Sequence, residues 1–327
     1  MTPGIRNTRH ATLALIAFLG FALSATAEPV TSVSRDTPAK YSRSEDVVYG
    51  RRDGHAMTLD VFTPANRANG AGVIIFVSAE YRSNRDLLAM IHPIGTQPFL
   101  DRGYVVFAVL LSSQPKYTVP EILDDAHRAV RFVKHYGKKF GIDPAKLGVT
   151  GGSAGGHLAM MMGCAGAPGD PKAADPIDRG SSKAAAVACF FPPTDFPALD
   201  GKCAPEMAAP FDFRTFGPTT GTYERVTPEN RRAIGTAISP LSHAAKGAAP
   251  TLIVHGDRDT LVPLTQSTAM IDKLEACGVE CKLVVKEGKG HYWLGIDRDV
   301  PTLVEWFDRQ LLGRNPQASE IARSVRR

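Results

Sequence analysis

The stretch Leu147-Gly148-Val149-Thr150-Gly151-Gly152-Ser153-Ala154-Gly155-Gly156-His157-Leu158 passes from a short apolar run, through clustered glycines, into a second apolar run. Its centre, Gly151 to Gly155, has the form G-x-S-x-G. A strand that turns sharply into a helix lifts the serine at the apex above the sheet edge, where the hydroxyl can be reached. Small neighbours are needed because the backbone folds tightly and packs closely there. Neither G-x-G-x-x-G nor G-x-x-x-x-G-K-[ST] is present, so a phosphate-cradling loop is not indicated.

The same alternation extends in both directions. Val73–Val77, Tyr104–Val109, Leu147–Thr150, Ala186–Phe191, Thr251–His255 and Lys282–Lys286 are continuous apolar runs, as expected of strands buried on both faces. Between them lie helical patterns. Thr118 and Glu121 form a capping box with Pro120 in the first turn, and Ile122, Ala126, Ala129, Val130 and Val133 share one face. Further helices are predicted over about 154–165, 265–276 and 300–312. Buried strands alternating with crossover helices predict an α/β fold with a doubly wound, mostly parallel sheet. Residues 46–62 alternate more weakly and read as an antiparallel pair at one edge. The α/β domain is expected over 45–313, after an extended lead-in at 28–44 and before a tail at 314–327. Within it, 195–245 is rich in Pro, Gly, Phe and Thr without clear periodicity, and is expected to be an inserted cap over the site.

The chain has 327 residues, 43% hydrophobic and 22% charged, an ordinary globular composition. Arg6, Arg9 and His10, then the apolar run Ala11–Leu23, then Ala25-Thr26-Ala27, follow the layout of a secretory signal peptide cleaved after Ala27. Its loss takes the formal charge from +5 to +3. The expected location is periplasmic or secreted, with no membrane attachment after cleavage. The remaining charges are interspersed, and the basic C-terminus at Arg323, Arg326 and Arg327 reads as a solvated end, so no nucleic-acid partner is expected. The cysteines at 164, 189, 203, 277 and 281 lack metal-ligand spacing, so neither a metal nor another cofactor is expected. Cys277 and Cys281 are spaced either for a short disulfide or for two free thiols.

A serine hydroxyl needs a base. In this chain order the acid follows the nucleophile and the histidine comes last. His291, in Gly288-Lys289-Gly290-His291-Tyr292 after the final strand, is the one of nine histidines so placed. His157 is expected to pack locally, and His127 and His135 to lie at the surface. The acid lies in His255-Gly256-Asp257-Arg258-Asp259. Asp257 suits a turn cap, so Asp259 is the candidate that would orient His291 and stabilise its imidazolium. A tetrahedral intermediate also needs two donors. One is the amide of Ala154, and the other is expected from the loop Ser78-Ala79-Glu80-Tyr81 after the strand at 73–77.

Gly151–Gly156, His255-Gly256-x-x-Asp259 with Val262-Pro263, and Gly290-His291 together resemble the secreted α/β-hydrolases of the bacterial acetyl/feruloyl esterase type, related to the prolyl-oligopeptidase and hormone-sensitive-lipase groups. The resemblance covers about 46–312. It implies a serine esterase acting through Ser153, Asp259 and His291 on short-chain or carbohydrate-linked acyl esters. Relatives carry H-G-G-x-W where this chain has Val77-Ser78-Ala79-Glu80-Tyr81. The resemblance places the second oxyanion donor at the amides of Ala79 and Glu80, without glycine's freedom and with an added carboxylate. Two other functions are compatible with the motifs: an exopeptidase or amidase of prolyl-oligopeptidase type, and a non-catalytic binding protein of the same fold. The stretch before the domain is too short for the β-propeller that such peptidases usually carry.

Overall fold

The computed structural model describes residues 40–65, 68–199, 216–217, 221–223 and 227–314. The expected signal peptide and most of the lead-in and tail lie outside them, as does much of the 195–245 segment. Eight strands form one sheet: β1 (Tyr41–Arg52), β2 (His55–Pro64), β3 (Gly72–Val77), β4 (Val105–Leu110), β5 (Leu147–Gly152), β6 (Ala186–Phe190), β7 (Thr251–Gly256) and β8 (Cys281–Lys286). Their order is β1-β2-β4-β3-β5-β6-β7-β8. β1 pairs antiparallel with β2 and β2 antiparallel with β4, and every later pairing is parallel. The six predicted runs fall on β3 to β8 with ends shifted by no more than two residues. β8 is not buried on both faces as expected: it lies at the sheet edge, has no strand on its outer side among the described residues, and leaves Val285 exposed.

Alternation along the strands explains the two layers. In β3, Ile74 and Phe76 face one apolar core, while Val73, Ile75 and Val77 face the other. The first core is closed by α3 (Val119–His135), α4 (Ala154–Cys164) and α8 (Thr265–Ala276). The second is closed by α2 (Gln97–Asp101) and α9 (Val300–Leu312), with Phe99, Leu100, Val304 and Phe307 buried in it. The predicted capping box of α3 is formed. Glu121 N–H donates to the Thr118 hydroxyl at 3.4 Å, and the Glu121 carboxylate accepts from Thr118 N–H at 2.8 Å.

The architecture adds to the sequence expectations in several places. β1 starts at Tyr41, inside the expected lead-in; its outer residues stay exposed, so the strand lacks an apolar pattern. It is held by antiparallel pairing with β2 from Tyr41 opposite Pro64 onward, and by the buried carboxylate of Asp60 on β2, bonded to Arg43 at 2.6 Å and to Arg85 at 2.7 Å. Residues 85–101, for which no helix was predicted, form α1 (Arg85–Ile91), a π-helical turn (His92–Thr96) and α2. The described part of 195–245 is not all irregular, since α5 (Phe196–Leu199), α6 (Pro228–Ala237) and α7 (Pro240–His243) lie there. Of the two arrangements open to Cys277 and Cys281, the structure has the free thiols, facing the carbonyls of Ala244 and Ile271 respectively.

Topology fixes where a site can form. From β3 the chain moves to β4 on one side, then returns to β5 on the other. The carboxyl ends of β3 and β5 therefore flank the point where the winding reverses, which is where open α/β sheets open a crevice. Ser78 leaves β3 there, and Ser153 leaves β5.

Candidate active site

Ser153 sits between the end of β5 and the start of α4 with φ 52° and ψ −119°. Side chains seldom adopt this backbone, and it persists only where the surroundings impose it. Ser153 N–H donates to Phe190 O at 3.1 Å, and Ser153 O accepts from His157 N–H at 2.9 Å. Gly151 and Gly155 leave no space for a side chain. A Cβ on Gly151 would meet the Gly155 backbone at 2.5 Å, and one on Gly155 would meet Phe76 O at 2.5 Å. Gly155→Ala therefore forces α4 away from β3. It is expected to cost about 3 kcal/mol in a urea melt, whereas Ala159→Gly, also buried on α4, is expected to cost only about 1 kcal/mol.

The loop after β7 and the loop after β8 meet backbone to backbone. A Cβ on Gly256 would lie 2.3 Å from Lys289 O, and Arg258 N–H donates to that same oxygen at 2.9 Å. This contact brings His291 over the sheet edge. His291 Nδ1 lies 2.7 Å from Asp259 Oδ2, and Nε2 lies 2.9 Å from Ser153 Oγ. An ionised carboxylate only accepts, so Nδ1 carries the proton and Nε2 is left to accept from the serine hydroxyl. All three residues are buried. The structure thus brings Ser153, His291 and Asp259 into one hydrogen-bonded chain.

Asp257 is exposed and accepts from Gly288 N–H at 2.6 Å, the turn-capping task expected of it. Asp259 Oδ1 accepts from the amides of Leu261 and Val262, both at 2.9 Å. Burial alone would raise its pKa, but the bonds from His255 and His291 and the charge of His291 hold it well below the usual carboxylate range. The part played by His255 was not foreseen. Its Nε2 lies 2.8 Å from Val262 O and 3.2 Å from Asp259 Oδ2, and its Nδ1 lies 2.6 Å from Ser267 Oγ. Nε2–H therefore donates, Nδ1 accepts from the hydroxyl, and the second histidine fixes the carboxylate from behind.

The loop after β3, expected to supply an oxyanion donor, is tightly held. Ala79 and Arg82 exchange N–H···O bonds of 3.0 and 2.8 Å around Glu80 and Tyr81, whose φ angles are 49° and 58°. Two left-handed residues inside such a bridge make a type I′ turn, which normally favours glycine. Here it is imposed by the bridge, by Gln114 N–H donating to Tyr81 O at 3.0 Å, and by the buried Tyr81 hydroxyl donating to His157 Nδ1 at 2.9 Å. His157 is fully buried and its Nε2–H donates to Ile238 O at 2.7 Å. Burial pushes its pKa down to about 4, so it stays neutral in this bridge. It links three segments rather than packing locally. His127 also differs from expectation, being half-buried against Ser182 Oγ at 2.7 Å, while His135 is exposed.

Two consequences follow for the expected donors. Ala79 N–H is committed to Arg82 O, which removes it as an oxyanion donor. Glu80 N–H makes no hydrogen bond among the described residues, and the Glu80 carboxylate is exposed with Arg82 4.0 Å away, so its charge remains in water. Ala154, the first residue of α4, has an amide with no intrahelical acceptor by its position.

Beside the triad lies a cavity of about 400 Å³. Gly152, Ser78 and Phe191 border it, and the Phe191 ring lies 4.4 Å from that of His291. Its far wall is apolar, from Leu87, Ile91, Ile94, Val300 and Leu303.

A family model described as BD-FAE matches residues 59–274. The probable carboxylic ester hydrolase LipM of Mycobacterium tuberculosis is 26% identical over 240 residues, covering 72% of this chain and 52% of its own length. The chain spans about half the length of the curated relatives it matches. Among solved structures, a truncated carbohydrate esterase from gut microbiota aligns with a TM-score of 0.66 at 23% identity, covering 84% of this chain and 98% of its own. Thermogutta terrifontis esterase 2 phosphorylated by paraoxon aligns at 0.63 and 23% identity, covering 83% and 94%. These two carry the same α/β-hydrolase fold.

Proposed function

This chain belongs to the BD-FAE family, and from that membership we propose that it is a serine carboxylic-ester hydrolase working through an acyl-enzyme. The observation that carries the proposal is the unbroken chain Ser153 Oγ···His291 Nε2, 2.9 Å, and His291 Nδ1···Asp259 Oδ2, 2.7 Å, at a strained strand-to-helix turn. Ser153 Oγ attacks the acyl carbon and passes its proton to His291 Nε2. Asp259 stabilises the imidazolium, which then protonates the departing alkoxide. Water, deprotonated by the same nitrogen, attacks the acyl carbon and returns Ser153 to its free form. The esterase names of the curated relatives and of the solved structures agree with this chemistry, and they do not favour a peptidase or a binding protein. Hydrolysis of p-nitrophenyl acetate and butyrate, with fluorophosphonate labelling of Ser153, tests it. Folded protein that neither hydrolyses nor labels would refute it.

The cavity supports a small apolar acyl group more than a bare sugar at that position, so a carbohydrate would sit on the alcohol side. A methylene buried there is worth about 0.8 kcal/mol, roughly fourfold in kcat/KM, so butyrate should be preferred to acetate by about 15-fold. Ile91→Trp, which fills the cavity from α1, is expected to abolish that preference while leaving acetate within a few-fold of wild type. Equal preference in both proteins would place the acyl group elsewhere. The signal-peptide-like layout of residues 1–27 supports the further proposal that the enzyme works outside the cytoplasm. N-terminal sequencing of exported protein starting at Glu28 would bear this out, and an unprocessed cytoplasmic product would not.

A further inference from the structure

We propose that the Ser78 hydroxyl is the second oxyanion donor, acting opposite the Ala154 amide in place of the main-chain amide that Arg82 O has taken. This rests on the esterase mechanism above and deepens it. Ser78 is the first residue beyond β3 and is 5% exposed. Its Oγ is shielded from solvent and has no hydrogen-bond partner among the described residues. A buried hydroxyl left unpaired costs about 1–3 kcal/mol, so one that persists beside a reacting centre calls for a use. Three other buried polar atoms share this condition, on Gln114, Tyr117 and Trp306, and none of those residues borders the cavity beside the triad. Ser78 does, with Ala79 and Gly152.

The surroundings put Ser78 against the start of α4. Its carbonyl oxygen lies 3.5 Å from where a Cβ on Gly155 would stand, so the residue rests against the first turn of α4, the turn that begins with Ala154. The loop behind it is held by the Ala79–Arg82 bridge and by Tyr81 on His157, so Ser78 does not have to reorganise when charge develops. A hydroxyl turns about a single C–O bond. With no ground-state acceptor to give up, it can direct its proton at the oxyanion as the acyl carbon becomes tetrahedral. A bond that forms only with that charge lowers the barrier without tightening substrate binding.

The test compares Ser78→Ala, Ser78→Cys and Ser78→Thr with wild type on p-nitrophenyl butyrate, alongside a trifluoromethyl ketone that forms a tetrahedral adduct with the serine. Ser78→Ala and Ser78→Cys are expected to lose about 100-fold or more in kcat, with KM nearly unchanged. Affinity for the ketone should fall by a similar factor. Ser78→Thr, which keeps the hydroxyl, should retain most of both. The melting temperature of Ser78→Ala should stay level or rise, because the variant removes an unpaired polar atom. Wild-type turnover and ketone affinity in both Ser78→Ala and Ser78→Cys would overturn the proposal and leave Glu80 N–H as the donor. A wild type that hydrolyses no ester would instead refute the mechanism on which the proposal rests.

Discussion

Ser153→Ala is expected to lower kcat for p-nitrophenyl butyrate by about 10⁶-fold, with the folded state unaffected. The hydroxyl is the only atom lost. Its removal ends the 2.9 Å bond to His291 Nε2 but leaves the backbone bonds to Phe190 and His157 that hold the turn. What remains is the rate that substrate binding and the oxyanion donors support without a nucleophile. Steady-state kinetics beside a thermal melt check this. A residual rate within a hundredfold of wild type would mean that another group attacks the ester.

Asp259→Asn is expected to cost about 10⁴-fold in kcat, and the reason is one of donors and acceptors. Asp259 Oδ1 accepts from two amides, so an asparagine there keeps its oxygen on that side and turns its NH₂ towards His291 and His255. His291 Nδ1 must then accept, which moves the ring proton to Nε2, the atom that has to take the proton from Ser153. Asp257→Asn supplies the control. Asp257 is exposed and touches only the turn at Gly288, so its variant should stay within about threefold of wild type. Equal losses in the two variants would show that the acid has been assigned to the wrong carboxylate. The depressed pKa of Asp259 adds a stability effect. A carboxylate whose folded pKa lies below its unfolded value contributes stability above the unfolded value, about 4, and loses it as pH falls towards the folded one. Acid unfolding should therefore show a smaller pH dependence in Asp259→Asn than in wild type.

β3 to β7 and α3 were legible because burial on two faces leaves continuous apolar runs and burial on one face leaves a helical period. β8, α4, α8 and α9 also lie where they were expected, but β8 is a partly exposed edge strand and α4 is buried on all sides. No helix was expected across 85–101, where Pro93, Gly95 and Pro98 interrupt any regular helical pattern. In the structure the π-helical turn carries Pro93 and Gly95, and Pro98 occupies the first turn of α2. β1 was read five residues short because ionic bonds to Asp60, which carry no periodic signature, help hold its outer half. Chain order drew attention to Ser153, Asp259 and His291. It said nothing of His255, which looked like the last residue of a strand, nor of Ser267, far along the chain. The Ala79 amide was assigned as a donor by analogy with glycine-bearing relatives; its loss to Arg82 depends on a turn that the side chains Glu80 and Tyr81 gave no reason to expect.

The bridge from Tyr81 through His157 to Ile238 O has a bearing on how such a protein can be altered. The stretch leading to Ile238 would look like free ground for recombination, where a length of chain from a relative can be exchanged to change which esters are accepted. One carbonyl in it is nevertheless the far support of the turn opposite the nucleophile. An exchange that ends before Gly235 keeps the last turn of α6 and its carbonyl in register. One that runs through Ile238 replaces that support, and its effect on turnover would then be mistaken for a change in selectivity.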